Sequence, residues 1–360
     1  MNNQITKRSV VLMISLFMFS SLTFSQFDNT DFLRSIPSDG VKYLQAYVSP
    51  WANAFGAGLN GGWYNTAKPH KLGGFDITIN ASMGIVPTSA QTFDISKIGL
   101  SSAISGAGMA STVAGPKTDG PIISYTDKAS GVILATFNAP QGVDWRYIPV
   151  PSAQVGVGLP FGTELKVRFV PKINIKDGNI SLWGVGLVHS IMQYLPGEKT
   201  LPFDVSVFGG YTRLTANVPL SLQPGTPTNY TTFNLATSFK DQNLNVAVGA
   251  LNISAIASLN LPVITFYGGL GYSKTKTFMK FEGNFPTPTL NTVVPTNPHA
   301  EYADNGVITG NKFPSMNIEN FSGLRANVGF RIKLAVVTIH ADYTRAQYNV
   351  ITAGLGISIR

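Results

Sequence analysis

GLRANVGFRIKLAVVTIHADYTRAQYNVITAGLGISIR, residues Gly323 to Arg360, decides the fold. Leu324, Ala326, Val328, Phe330 and Ile332 share one parity; Gly323, Arg325, Asn327, Gly329 and Arg331 share the other. Val337, Ile339, Ala341 and Tyr343 then oppose Thr338, His340, Asp342 and Thr344. Ile351, Ala353, Leu355, Ile357 and Ile359 oppose Thr352, Gly354, Gly356, Ser358 and Arg360. A period of two is that of a β-strand, whose successive side chains leave opposite faces. Three such runs joined by short connections read as consecutive antiparallel strands.

The pattern recurs upstream. Phe75, Ile77, Ile79, Ala81, Met83 and Ile85 oppose Asp76, Thr78, Asn80, Ser82 and Gly84. Ala153 to Leu159 leads through the turn Pro160-Phe161-Gly162-Thr163 into Leu165, Val167 and Phe169, set against Glu164, Lys166 and Arg168. Ile180–Tyr194, Phe203–Thr215, Leu244–Ser258 and Val263–Phe281 are further strands. A change of phase between Ala250 and Leu251 predicts a β-bulge. Gly-rich Phe55–Asn65 reads as another strand, and Pro87–Trp145 as a long surface loop with or without a hairpin.

At the front, Lys7 and Arg8 precede a short apolar run, Val10 to Phe19, with Thr23 and Ser25 at small-residue positions. This predicts a secretory signal over residues 1–25, cleaved near Ser25/Gln26. Its apolar core is too short to span a bilayer, which takes ~20 residues. Residues 26–53 predict a plug segment: Ser38 caps a helix carrying Val41, Leu44 and Val48, and Pro50 ends it. A loosely attached leader is the alternative. Residues 54–360 then form the barrel.

Composition agrees with lipid on one side. Charged residues are 12% of the chain, about half the usual share of a soluble domain. Taking Lys7 and Arg8 from 26 basic residues, against 18 acidic, leaves about +6 on the mature chain. The basic residues are spread over many strands, which excludes a nucleic-acid footprint. There is no cysteine, hence no disulfide framework.

In hydrocarbon a sheet must close on itself to satisfy its backbone. Outer-membrane barrels have short turns at one end and long loops at the other. With the C-terminus placed in the periplasm, the joins near Pro160–Thr163, Pro196–Pro202, Leu261 and Leu334 are short, while the long Pro87–Trp145, Asn217–Asp241 and Phe285–Met316 lie outside; two outer connections, near Lys176–Asn179 and Gln347–Tyr348, are short, so the asymmetry is incomplete. The expectation is an all-β, transmembrane, antiparallel up-and-down barrel of about 12 strands, within 10 to 14.

An arginine facing lipid at mid-bilayer costs ~2–4 kcal/mol. Asp76, Glu164, Lys166, Arg168, Asp204, Arg325, Arg331, His340 and Asp342 are therefore expected to face the lumen, as a constriction or as charges tying a plug to the wall. Trp63, Trp183, Phe169, Phe266, Tyr272, Phe330 and Tyr343 are expected in the lipid wall or against the plug. His70, His189, His299 and His340 show no metal spacing, and there is no nucleophile elbow or phosphate loop. His340 and Asp342 read as lumen residues rather than a catalytic pair. No cofactor, metal or catalytic activity is expected.

Four stretches carry a resemblance: GAGLNGGWYNTAKPHKLGGFDITI from Gly56, VGVGLPFGTELKVRFVPK from Val155, LPFDVSVFGGYT from Leu201 and TFYGGLGY from Thr265. On these the chain resembles an uncharacterised domain-of-unknown-function family of Gram-negative outer-membrane barrels. The resemblance implies a fold and an outer-membrane location, and no activity. A more distant architectural similarity is to the long-chain fatty-acid transporter class, in which an N-terminal segment plugs the lumen before the first strand. The expected partners are outer-membrane lipid and a small solute, hydrophobic in one reading, gated by residues 28 to 53. A non-conducting barrel that docks surface or secretion partners through its long loops is the competing expectation.

Overall fold

In the computed structural model, ten strands form one closed antiparallel barrel around a helix. The structure describes residues 37–126, 131, 133–175, 178–194, 202–220, 241–283, 285–288, 308–311 and 315–359. The expected signal sequence and most of the loops Asn217–Asp241 and Phe285–Met316 lie outside the described residues.

Helix α1 is Pro37–Leu59. The wall consists of β1 (Phe75–Ile85), β7 (Tyr147–Leu159), β8 (Thr163–Ile175), β9 (Gly178–Ser190), β10 (Phe203–Pro219), β11 (Asn243–Asn260), β12 (Ile264–Glu282), β15 (Met316–Leu334), β16 (Val337–Arg345) and β17 (Asn349–Ile359). Strands β2 (Thr92–Asp94), β3 (Ile104–Ser105), β4 (Met109–Ser111), β5 (Ile122–Thr126) and β6 (Ile133–Asn138) lie between β1 and β7. Strands β13 (Phe285–Pro288) and β14 (Ile308–Asn311) pair as a hairpin. Each wall strand pairs with its neighbour in the chain, and β1 closes the ring on β17 from Phe75↔Ile359 to Ile85↔Asn349.

The expected count of about 12 is corrected to ten. The surplus rests on a hairpin in Pro87–Trp145, whose strands instead pair among themselves, β2 with β4, β3 with β5 and β5 with β6. They form small sheets over the end of the barrel and pack on α1. The chain reverses between β7 and β8 with positive φ at Phe161 (58°) and Gly162 (58°). At this turn end β11 and β12 are joined by residues 261–263 and β15 and β16 by 335–336, whereas at the loop end β1 and β7 are separated by residues 86–146, with short joins between β8 and β9 and between β16 and β17.

Side-chain parity follows the pleat. On β1, Thr78, Asn80 and Ser82 are buried while Ile77 and Ile79 are exposed. Leu324 is 84% and Val328 66% exposed, although both are large and apolar. Trp183, Phe169, Phe266, Tyr272, Phe330 and Tyr343 also face outward. An outer surface this apolar suits hydrocarbon.

The expected bulge in β11 is absent: its register with β10 and β12 runs unbroken from Asn243 to Asn260. The phase change comes from the interior. Val248 and Ala250 point inward near the loop end, and Asn252, Ser254 and Ser258 point inward below them. The lumen is apolar at one level and polar at the next, so hydrophobicity changes face while the backbone does not.

Candidate functional site

The lumen is filled by residues 37 to 74. Helix α1 begins among the loop-end sheets and runs down into the barrel. Its first half buries Val41, Tyr43, Leu44 and Tyr47 against Ile95, Ile104, Ile123 and Met316. The Tyr43 ring meets Phe93 edge-on at 5.2 Å, and the Tyr47 hydroxyl donates to the Gln141 carbonyl at 2.7 Å. Burial pushes the Tyr47 phenol up to about 12.

Pro50 does not end the helix, contrary to the sequence expectation. A proline inside a helix removes one backbone donor and crowds the carbonyl four residues back. Here the Ser49 hydroxyl hydrogen-bonds back to the Gln45 carbonyl, the kind of contact that accompanies a bent helix. Packing on both sides of the proline supports the second half, where Ala54, Phe55, Ala57 and Leu59 pack on Ile148, Val150, Leu182 and Leu214. The helix backbone touches the wall at Gly84, where a Cβ would lie 1.9 Å from the Ala54 carbonyl oxygen. Phe55–Asn65 is therefore the end of a helix and the start of a lumenal segment, not a strand. The inserted segment runs beyond residue 53 as far as Gly74.

The C-terminus of α1 is gripped by the wall. The last carbonyls of a helix lack intrahelical donors and carry the negative end of its dipole. Helix α1 has no basic residue in its last turn. Arg168 of β8 supplies Nη1 to the Leu59 carbonyl at 2.8 Å and Nη2 to Gly61 at 2.7 Å. Arg325 of β15 supplies Nη1 to Asn60 at 2.8 Å, and Asn252 of β11 donates to the same carbonyl at 3.3 Å. Asn80 of β1 donates to the Gly62 carbonyl at 3.1 Å, and Gly62 holds φ at +67°. Four wall strands thus cap one helix end.

Arg168 also donates from Nε to Gln154 at 3.1 Å, and its guanidinium lies 3.7 Å from the centre of the Trp63 ring. Among the described residues no carboxylate pairs with this guanidinium, which is 1% exposed and is surrounded by carbonyls, an amide and a ring face instead. Trp63 sits in the lumen, not in the lipid wall. It packs beside Phe208 over Gly186 and Gly210, where added Cβ atoms would come within 2.8 and 3.1 Å of the indole. Tyr64 donates to Asn327 at 2.7 Å.

Nearer the turn end, residues 65 to 74 meet the remaining charges. Arg331 reaches Asn65 at 3.2 Å and Thr265 at 3.4 Å. His70 contacts Glu164 through its backbone N–H and through Nδ1, each at 2.9 Å, and Ser358 through Nε2 at 3.1 Å. Lys166 lies 2.5 Å from Glu164 and 3.4 Å from Asp76. The ligand atoms of His70, Asp76 and Glu164 lie within 4.8 Å of one another, a spacing that a metal could use. The Lys166 ammonium already stands beside both carboxylates, so the chemistry of the group is that of an ion-pair network.

Of the nine residues expected in the lumen, eight are buried inside the barrel. Asp204 lies at the rim, partly exposed, with Asn260 donating at 2.5 Å and Lys68 at 4.0 Å. His340 and Asp342 share a face of β16 but serve different neighbours, Asn65 at 3.5 Å and Tyr267 at 3.1 Å. The sequence reading missed His70, Trp63 and the carbonyls of Leu59, Asn60 and Gly61. The Gly61-Gly62 pair after an apolar helical run was the available signal, since glycine commonly follows a helix end.

The chain belongs to a family of unknown function (DUF6588), whose profile matches residues 4–359. No curated protein matches it. Among solved structures it is similar to the outer membrane protease OmpT from Escherichia coli, at 8% identity and TM-score 0.32, covering 83% of this chain and 100% of that one. The translocator domain of autotransporter NalP from Neisseria meningitidis gives 12% identity and TM-score 0.29 over 88% and 96%. Ail, the attachment invasion locus protein of Yersinia pestis, gives 10% identity and TM-score 0.26 over 80% and 99%.

Proposed function

We propose that this member of the family is an outer-membrane barrel sealed by its own N-terminal segment, non-conducting at rest, and serving as a wall-embedded mount for its loop-end sheets. The observation that carries this reading is the grip of Arg168 and Arg325 on the carbonyls of Leu59, Asn60 and Gly61. Above that grip the lumen is filled by apolar packing, and below it by an aromatic cluster around Trp63 and Phe208 together with hydrogen bonds and ion pairs. Free passage of a solute, the first expectation from the pattern, requires all three layers to part. The apolar outer surface and the asymmetry of turns and loops support placement in the outer membrane, and no catalytic role is assigned to any residue.

Planar-bilayer recording tests the seal. The intact protein should give no steady conductance. A variant lacking residues 37–70, with its folded wall verified by heat-modifiable migration, should give discrete open steps. Steady conductance through the intact protein at the level of the deletion variant overturns the sealed reading in favour of a passive channel.

A further inference from the structure

On the outer face of the barrel the apolar band stops abruptly near the loop end of β10, β11 and β12. On β10 the exposed Val207 and the half-buried Tyr211 give way to Arg213. On β12 the exposed Leu270 and Tyr272 give way to Lys274 and Lys276. Between them, β11 changes from Ile253 and Leu251 to Gly249.

The register makes this change a slot. Arg213 and Lys276 both pair with Gly249, from opposite sides. Their backbones are therefore two strand spacings apart, roughly 10 Å, and Gly249 itself puts no side chain between them. The Tyr211 hydroxyl lies over the gap, 2.8 Å from where a Cβ on Gly249 would be. Lys274 pairs with Leu251, one step toward the apolar band. Trp183, cross-strand from Arg213, stacks obliquely on Tyr211 at 5.8 Å and forms an aromatic border with Tyr272.

Among the residues whose side chains are described, no carboxylate lies within ion-pair distance of Arg213, Lys274 or Lys276, whereas Lys280 on the same strand is paired with Glu282 at 2.8 Å. Strand β15 pairs Glu319 in register with Lys276. The turn-end border of the wall is different: Leu261, Val263, Leu334 and Val336 are exposed there.

We infer that Arg213, Lys274 and Lys276, over the floor made by Gly249, bind the phosphate group of an anionic lipid in the leaflet at the loop end. Two cations facing across a gap suit a multiply charged tetrahedral anion, and a guanidinium offers paired donors to its oxygens. The slot is continuous with the ridge of Leu251, Ile253, Tyr272 and Leu270, which can take an acyl chain. A free anion has no use for that ridge. An aromatic border beneath a basic rim is the expected arrangement where lipid headgroups meet a wall. This inference rests on the membrane placement proposed above.

The test uses the full mature chain folded in detergent micelles, with native mass spectrometry to count retained lipid. The probes are a diphosphorylated glucosamine lipid, its dephosphorylated counterpart, and inorganic phosphate as competitor. The wild type should retain the phosphorylated lipid, and Arg213→Gln with Lys276→Gln should weaken retention about tenfold or more. The dephosphorylated lipid should bind the wild type as weakly as the phosphorylated lipid binds that variant, and inorganic phosphate should not displace the lipid. Gly249→Val, which pushes the Tyr211 hydroxyl off this floor and keeps every charge, should weaken retention as well and stands in if the double variant misfolds. Equal retention by wild type and variants, or equal retention of both lipids, overturns the inference; displacement by inorganic phosphate reassigns the slot to a free anion. Heat-modifiable migration and reconstitution into vesicles report membrane placement separately, so a failed site and a failed membrane reading give different results.

Discussion

The two halves of the lumen are built from the same strands and hold the same inserted segment, yet they use opposite chemistry. In the loop-end half, Ile148, Val150, Leu182, Leu214 and Val248 point inward onto a helix. In the turn-end half the wall turns Gln154, Arg168 and Asn252 inward onto a segment with no regular structure from Gly61 to Gly74, whose Trp63 and Tyr64 pack in one apolar patch on Val188, Phe208 and Ile256. The difference follows from the backbone of the insert. A helix satisfies its own N–H and C=O groups and offers apolar side chains, so an apolar wall suffices. From Leu59 to Gly62 the carbonyls take their donors from the wall, and burying them unpaired would cost about 1–3 kcal/mol each. The wall becomes polar where the helix stops.

Breaking the polar half should have the larger effect. Arg168→Ala leaves the carbonyls of Leu59 and Gly61 and the Gln154 amide without their donor. The expected loss is about 3–5 kcal/mol of unfolding free energy, measured by denaturant titration in micelles. The emission of Trp63 should shift to longer wavelength as its ring loses the guanidinium and gains water. Arg168→Lys should recover little, because an ammonium cannot reach two carbonyls and cover the indole together. A loss below about 1 kcal/mol would show that the helix end is not held by this grip.

The apolar half should respond to volume instead. Leu59→Ala, at a side chain buried among Ile148, Val150 and Leu214, should cost about 2–4 kcal/mol. It should leave the Trp63 emission unchanged, since the layer below keeps its own contacts. If both substitutions shift Trp63 equally, the two halves act as one unit and the division fails.

The same division explains what could be read in the sequence. The ten wall strands were legible because outward parity is apolar along the barrel, from Ile77 on β1 to Ile359 on β17. The charged lumen residues followed, since Arg168 or Arg325 on the other parity would meet lipid. The apolar lumen was not legible: Val248 and Ala250 look like lipid-facing residues, and their inward aim shows as a false phase change. The helix end was missed because its two capping arginines are more than a hundred positions away, on β8 and β15, while local sequence offers only glycines and a proline. The loop-end strands were overcounted because pairing among themselves and pairing with the wall leave the same short alternations.

The smallest effect is expected where the helix leaves the barrel. Tyr47 lies among the loop-end sheets, where its hydroxyl donates to Gln141 and its carbonyl accepts from the Val113 N–H. Tyr47→Phe keeps the ring and removes one hydrogen bond, at a cost of about 1 kcal/mol. Burial raises the phenol from 10.0 to about 12 in the folded chain. A group whose pKa rises on folding contributes stability that is whole below the unfolded value and is lost as pH climbs through the folded one. Wild-type stability should therefore decline between pH 10 and about 12, and Tyr47→Phe should decline less over that window. Tyr43, raised further by burial and by Tyr47 beside it, leaves a residual slope in the variant at still higher pH. If the two proteins follow the same curve, the ring does not bear on how the helix is seated, and the apolar packing of the loop-end half acts alone.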